Sequence, residues 1–178
     1  LRPADEAMAK AIGPGPGATF DLDYRPGAPV EISNLRLQSD GLQASGAISV
    51  SGDAGPAVNP VITTDIEARV PDLARFAPLA NRPLGGSGTL RMSGTFAPIG
   101  GAFDVTLSGT TSNLWLGQSE ADRFLAGETR IAIAARRDAN GLHVDRAEVV
   151  SDQGRVRLGG EIATATGRIE AIASLTDA

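Results

Sequence analysis

The sequence predicts a mostly β protein: an antiparallel meander curled into an open trough, the β-taco form, with one or two short helices. Three observations lead there. Apolar and polar residues alternate strictly over most of the chain after Phe20, the signature of strands with one dry and one wet face. The breaks between these runs are short and rich in Gly, Asp, Asn and Pro, so consecutive strands must be antiparallel neighbours. Small residues dominate, with 22 Gly and only 4% aromatics, so each residue buries little area and the core is a thin layer.

Residues 1–17 read as a linker, an Ala-rich stretch with a loose helical turn followed by Gly-Pro-Gly-Pro-Gly, which sustains neither helix nor central strand. Residues 18–178 read as one curled sheet module. Phe20, Leu22 and Tyr24 share a face opposite Asp21 and Asp23. Val30 and Ile32 then change register through Asn34 to Leu35 and Leu37, which predicts a bulge. Leu42, Ala44, Ile48 and Val50 alternate with Gln43, Ser45 and Ser49. The segment Ser-Gly-Asp-Ala-Gly-Pro at 51–56 breaks the chain before Ile62, Ile66, Ala68 and Val70.

Beyond Gly88 the alternation is cleaner. Leu90, Met92 and Phe96 oppose Thr89, Arg91, Ser93 and Thr95. Phe103, Val105 and Leu107 oppose Asp104, Thr106 and Ser108. Ile131 and Ile133 oppose Arg130, and Leu142 and Val144 oppose His143 and Asp145. Val156, Leu158 and Ile162 oppose Arg155, Arg157 and Glu161. Asp138 to Gly141 ends in the Asn-Gly pair favoured in tight hairpins, while Ser151 to Gly154 and Ala97 to Gly101 have similar turn composition. The result is a meander of about ten strands. Two segments depart from it: Leu73, Phe76 and Leu79 at helical spacing, and a stretch from Ser119, read as an N-cap with Asp122, to a stop at Gly127.

A search for chemistry returns little. His143 is the only imidazole and reads as a solvated strand residue. Gly85 to Thr89 lacks the final glycine of a nucleophile elbow, and Gly13 to Gly17 has neither the leading strand nor the lysine of a phosphate loop. Asp21 and Asp23 share a face without further acidic ligands, so a metal is not expected, nor a cofactor. Arg136 and Arg137 point to opposite faces, one of them marking the end of the dry region. Trp115 reads as a ligand anchor or a packing residue. Net charge −5 and dispersed arginines exclude a nucleic-acid surface. With no Cys there is no disulfide or thiolate chemistry, and no apolar run reaches the ~18–20 residues of a spanning helix. The chain opens with Leu and has no signal peptide, the expectation for an excised piece of a longer protein.

What remains is the dry face. Ten strands at ~4.8 Å extend ~45–50 Å, more than two short helices can cover, so the sheet is expected to curl, aided by Gly46, Gly94, Gly109, Gly159 and Gly160. The thirteen expected lining residues are Leu90, Met92, Phe96, Phe103, Val105, Leu107, Ile131, Ile133, Leu142, Val144, Val156, Leu158 and Ile162.

The segments Asp72 to Phe96 and Ala121 to Ile162 resemble the TamB family of bacterial envelope proteins, relatives of the AsmA-like group. The shared cadence is a short "FLAG" segment, a long strand, a "DxxG" turn, and glycine-flanked alternating apolar residues. The likeness covers Val61 to Ala178, holds no active-site signature, and fits an Arg- and Ala-rich, GC-rich proteobacterial composition. It implies a greasy trough that crosses the periplasm from an inner-membrane anchor outside this sequence. It also implies phospholipid acyl chains as cargo and an outer-membrane barrel partner, TamA. Three other readings stand beside it. One is a chaperone-like module capturing outer-membrane protein strands at a sheet edge; another is an outer-membrane barrel, disfavoured by one Trp and one Tyr. The last is a hydrolase, for which no acid–base cluster is evident.

Overall fold

A computed structural model describes residues 3–52, 59–163 and 167–175. Ten strands follow one another in chain order: β1 (Gly17–Asp23), β2 (Val30–Gln38), β3 (Gln43–Ser51), β4 (Val61–Val70), β5 (Gly85–Ala97), β6 (Ala102–Trp115), β7 (Glu128–Asp138), β8 (Gly141–Ser151), β9 (Gly154–Ala163) and β10 (Gly167–Leu175). Each pairs antiparallel with the next, and β1 does not meet β10, so the sheet is an open meander and not a barrel. The break expected at 51–56 falls largely outside the described residues.

Three helices accompany the sheet, one more than expected. The Ala-rich opening is not a loose turn: α1 (Pro3–Ile12) is a ten-residue helix. It is held in place by Ala11, whose surface is fully buried, and by a hydrogen bond from the Gly41 amide to the Ile12 carbonyl. A Cβ on Gly41 would lie 2.0 Å from the Ala11 carbonyl oxygen, so this turn accepts the helix only because position 41 is glycine. A 3₁₀ turn (Leu73–Phe76), capped by Asp72 Oδ1 accepting from the Ala74 amide at 2.9 Å, runs into α2 (Ala77–Ala80). Then α3 (Ser119–Phe124) joins β6 to β7. Ser119 does not cap it: Gln118 occupies that position, and Asp122 reaches back to accept from the Leu116 amide at 2.7 Å. Gly127, at φ 76°, ends the segment as expected. Because the strands run antiparallel in sequence, all these helices fall at one end of the sheet, where β1 starts and β4 and β6 stop.

A tight turn and several register shifts set the pairing. Ala139 and Asn140 are the central turn residues, with Asp138 paired to Gly141 and Asp138 Oδ1 accepting from the Asn140 amide at 2.7 Å. The turn is therefore not centred on the Asn-Gly pair, and the positive φ is carried by Gly141 alone. The bulge expected at Asn34 is present: its φ is 51°, and pairing shifts between Ile32 and Leu35. A second, unforeseen bulge at Asp145 shifts β8 against both neighbours. It moves the apolar set from Leu142 and Val144 to Ala147 and Val149.

No second layer covers the sheet among the described residues. Among the described residues only Ala11 and Leu125 are buried hydrophobics. The accessible surface is 11694 Å², against about 8,100 Å² for a compact globule of this mass. That is roughly 1.4 times the globular value. Stability must come from backbone ladders and lateral contacts between neighbouring side chains on each face.

Candidate functional site: an uncovered apolar face

Pairing registers place residues on faces without ambiguity, since directly opposed residues share a side. All thirteen expected lining residues fall on one face, in four rows that cross the strands. Leu90, Ile131 and Val156 belong to one row, and Met92, Leu107, Ile133 and Leu158 to the next. Val105 and Val144 belong to a third row; Phe96, Phe103, Leu142 and Ile162 form the fourth.

The rows extend further than expected. Leu37, Ala44 and Ala68 continue the first, Leu35 and Ile66 the second, and Leu22, Ile32 and Ile48 the third. Ala147 and Val149 join them across the Asp145 bulge, which hid them from a strict alternation count; the only signal was the adjacent charges Asp145-Arg146 interrupting the pattern. Arg137 opposes Phe103 and Leu142, so a cation closes the fourth row. At the helical end the face turns polar, with Thr111 opposite Thr129 and the fully buried Thr129 hydroxyl donating to the Leu125 carbonyl at 3.4 Å.

In β6 exposure differs between the faces, whereas in β7 Ile131, Ile133 and the opposite-facing Ala132, Ala134 and Arg136 are all half-buried. In β6 the apolar-face residues Phe103, Val105, Leu107 and Gly109 are half-buried, whereas Asp104, Thr106, Ser108 and Thr110 are exposed. Toward the free edge the shelter fades: Leu158 is 43% exposed, Ile162 46% and Ile169 69%.

Glycines mark places where neighbouring backbones come unusually close. Gly94 and Gly160 lie in the same row, at φ 146° and 154°. A Cβ on either would fall 2.1 Å and 2.3 Å from a carbonyl oxygen of the adjoining strand. Side chains are excluded there.

The opposite face carries the charges. Arg91 holds Asp65 through two bonds of 2.8 and 2.6 Å, Arg130 meets Glu128 at 3.0 Å, and Arg136 lies between Asp138 and Asp145. His143 is more sheltered than a solvated residue, its side chain 19% exposed between Asp138 and Glu161 at 3.8 and 3.7 Å. Asp21 and Asp23 do not act together, since Asp21 accepts from Asn34 Nδ2 and Asp23 from Arg25. Trp115 rests over Gly85, about half exposed, and Gly85–Thr89 simply begins β5.

Among the described residues, no three His, Asp or Glu side chains are placed to hold a metal, and no helix is long and apolar enough to cross a membrane. An open depression of ≈ 490 Å³ lies among the long side chains at Arg36, Glu67 and Arg69. The broad uncovered apolar face is the candidate site. No family model matches the chain, and comparison with curated proteins and with solved structures finds no match either. Function must be argued from this geometry.

Proposed function

We propose that the apolar face is a groove for phospholipid acyl chains, in a periplasmic, TamB-like module that carries lipids between inner and outer membranes and supports outer-membrane assembly. The observation that carries the reading is a continuous aliphatic face, eight or more strands wide, with no protein layer over it among the described residues. A flat uncovered sheet would expose both sides alike. The half-buried apolar positions of β6 beside exposed polar ones therefore support a sheet curled toward its apolar side into a trough. The glycines at 94 and 160, which let neighbouring backbones approach closely at positive φ, support it too. Transfer of a sixteen-carbon tail to water costs on the order of 10 kcal/mol at about 0.8 kcal/mol per CH₂. A uniform apolar lining offsets most of that while headgroups stay wet. The inner-membrane anchor and contact with a TamA-like barrel belong to the same proposal and to parts of the protein beyond this chain.

The test is native mass spectrometry of the chain purified from a Gram-negative host, together with Ile133→Asp and Leu158→Asp. Co-purifying phospholipid that both variants lose supports the groove. Lipid retained in both variants, or absent from the parent chain, rejects it. A second reading has one observation behind it: β1 and β10 are free edges among the described residues, and β10 presents Ile169 and Ile172, each 69% exposed. Such an edge can capture an extended strand of another protein. Photocrosslinkers on β10 trapping protein, with those at Ile133 trapping no lipid, would favour it.

A further inference from the structure

We infer that Arg146, Arg155 and Arg157, organised around Glu148 on the polar face, form a binding site for a phosphate group. Elsewhere among the described residues each paired arginine has its own carboxylate, as with Arg25 and Asp23, Arg91 and Asp65, or Arg130 and Glu128. Here one carboxylate serves three guanidinium groups. Three cations and one anion leave +2, in a chain whose net charge is −5.

The register explains how the group assembles. Glu148 on β8 stands directly between Ala132 on β7 and Arg157 on β9. Arg155 lies one row away, opposite Val150, and Arg146 one row the other way, opposite Ala134. Arg146 would point to the apolar face in a regular strand; the Asp145 bulge brings it to this side. Ala132 and Ala134 keep β7 low beside the cluster, so the guanidinium groups face open space rather than a wall.

The bonding pattern leaves the recognition edges free. Glu148 Oε1 accepts from Arg157 Nε at 2.9 Å and lies 3.2 Å from Arg155 Nε, while Oε2 accepts from Arg146 Nη2. The terminal Nη groups of Arg155 and Arg157 have no acceptor among the described residues, and those side chains are 48% and 57% exposed. A guanidinium fork fits two phosphate oxygens at once. Glu148 is itself only 9% exposed, sheltered by the arginines it gathers, and they hold its carboxyl down to about 2, so it keeps its charge at any physiological pH. A single carboxylate thus fixes three forks whose excess charge a phosphate dianion would balance. Ala147 and Val149, its neighbours along β8, face the other way, so the site stands independently of the acyl groove.

The experiment titrates the chain with inorganic phosphate and, at matched ionic strength, with chloride, following arginine side-chain resonances. A parallel arm measures sedimentation with phosphatidylcholine vesicles, with and without added phosphatidate. Saturable phosphate-specific shifts at Arg155 and Arg157 support the site and a free phosphate or soluble phosphomonoester as ligand. Phosphatidate-dependent sedimentation supports it with a lipid headgroup as the source. Arg155→Gln with Arg157→Gln should weaken either response about tenfold or more, while Arg91→Gln leaves it unchanged. Glu148→Gln raises the local charge yet should also weaken it, because the forks lose their organiser. Equal responses to phosphate and chloride with no phosphatidate dependence would overturn the proposal, and so would tighter binding by Glu148→Gln.

Discussion

Replacing Gly94 with Ala should destabilise the sheet far more than one methyl group ordinarily does. The added Cβ would sit 2.1 Å from the Asp104 carbonyl oxygen and 2.7 Å from the Val105 Cα, both backbone atoms of β6 that no rotamer change can move. The φ of 146° adds a conformation that side-chain-bearing residues rarely adopt. Strain of this type is about 1–3 kcal/mol, and forcing neighbouring backbone apart adds about 1–3 kcal/mol, giving about 2–6 kcal/mol together. For a chain of this size each kcal/mol lowers Tm by about 2–4 °C, so a fall of roughly 4–24 °C is expected. Circular dichroism melting measures it, with Gly100→Ala as the control, since a Cβ there has nothing within 4 Å. If the Gly94 variant melts with the control, the close approach of β5 and β6 is not a structural constraint. The curling attributed to these glycines then loses that support.

Other consequences follow from the helical end and the polar face. Asn113, at φ 50°, donates its amide to the Gly127 carbonyl at 2.8 Å and accepts from the Gly127 amide through Oδ1 at 3.2 Å. Asn113→Ala should cost about 1–3 kcal/mol in urea unfolding and Asn113→Gly less, because glycine loses only the side-chain bond; equal losses would refute the strain assigned to this residue. Ala11→Asp places a charge in a fully buried position and should release α1, read as new protease cleavage between residues 3 and 17 with the β-sheet circular dichroism signal preserved. Glu148 titrates at about 2 in the folded chain instead of the usual 4.5, held down first by Arg146 and then by Arg157. Because the folded value is the lower one, its stabilisation is complete above about pH 4.5 and disappears as pH falls toward 2. Glu148→Gln should flatten the decline of stability across that window, and an unchanged acid profile would show that the arginines do not engage it.

Strand existence, strand order and the identity of the apolar face were legible because a pleated strand alternates sides with period two, whatever its surroundings. Short polar turns leave an antiparallel meander as the simplest connection. For that reason Leu90, Ile133 and Leu158 could be assigned to one side from the letters alone, and the bulge at Asn34 announced itself by breaking the alternation. The Asp145 bulge did not, since alanine at 147 carries too weak an apolar signal to reveal a change of face. Likewise α1 was hidden, because its docking depends on one buried alanine, Ala11, and on the missing side chain of Gly41, which touches the helix in space although it lies thirty residues further along the chain.

The sequence by itself determined the local pattern: which residues alternate and where the chain turns. Only the tertiary structure decided which charges meet. Glu148, Arg146, Arg155 and Arg157 are unremarkable letters until a bulge and two registers bring them together. The openness of the sheet is tertiary as well, since periodicity reports that a face is apolar and says nothing of what covers it.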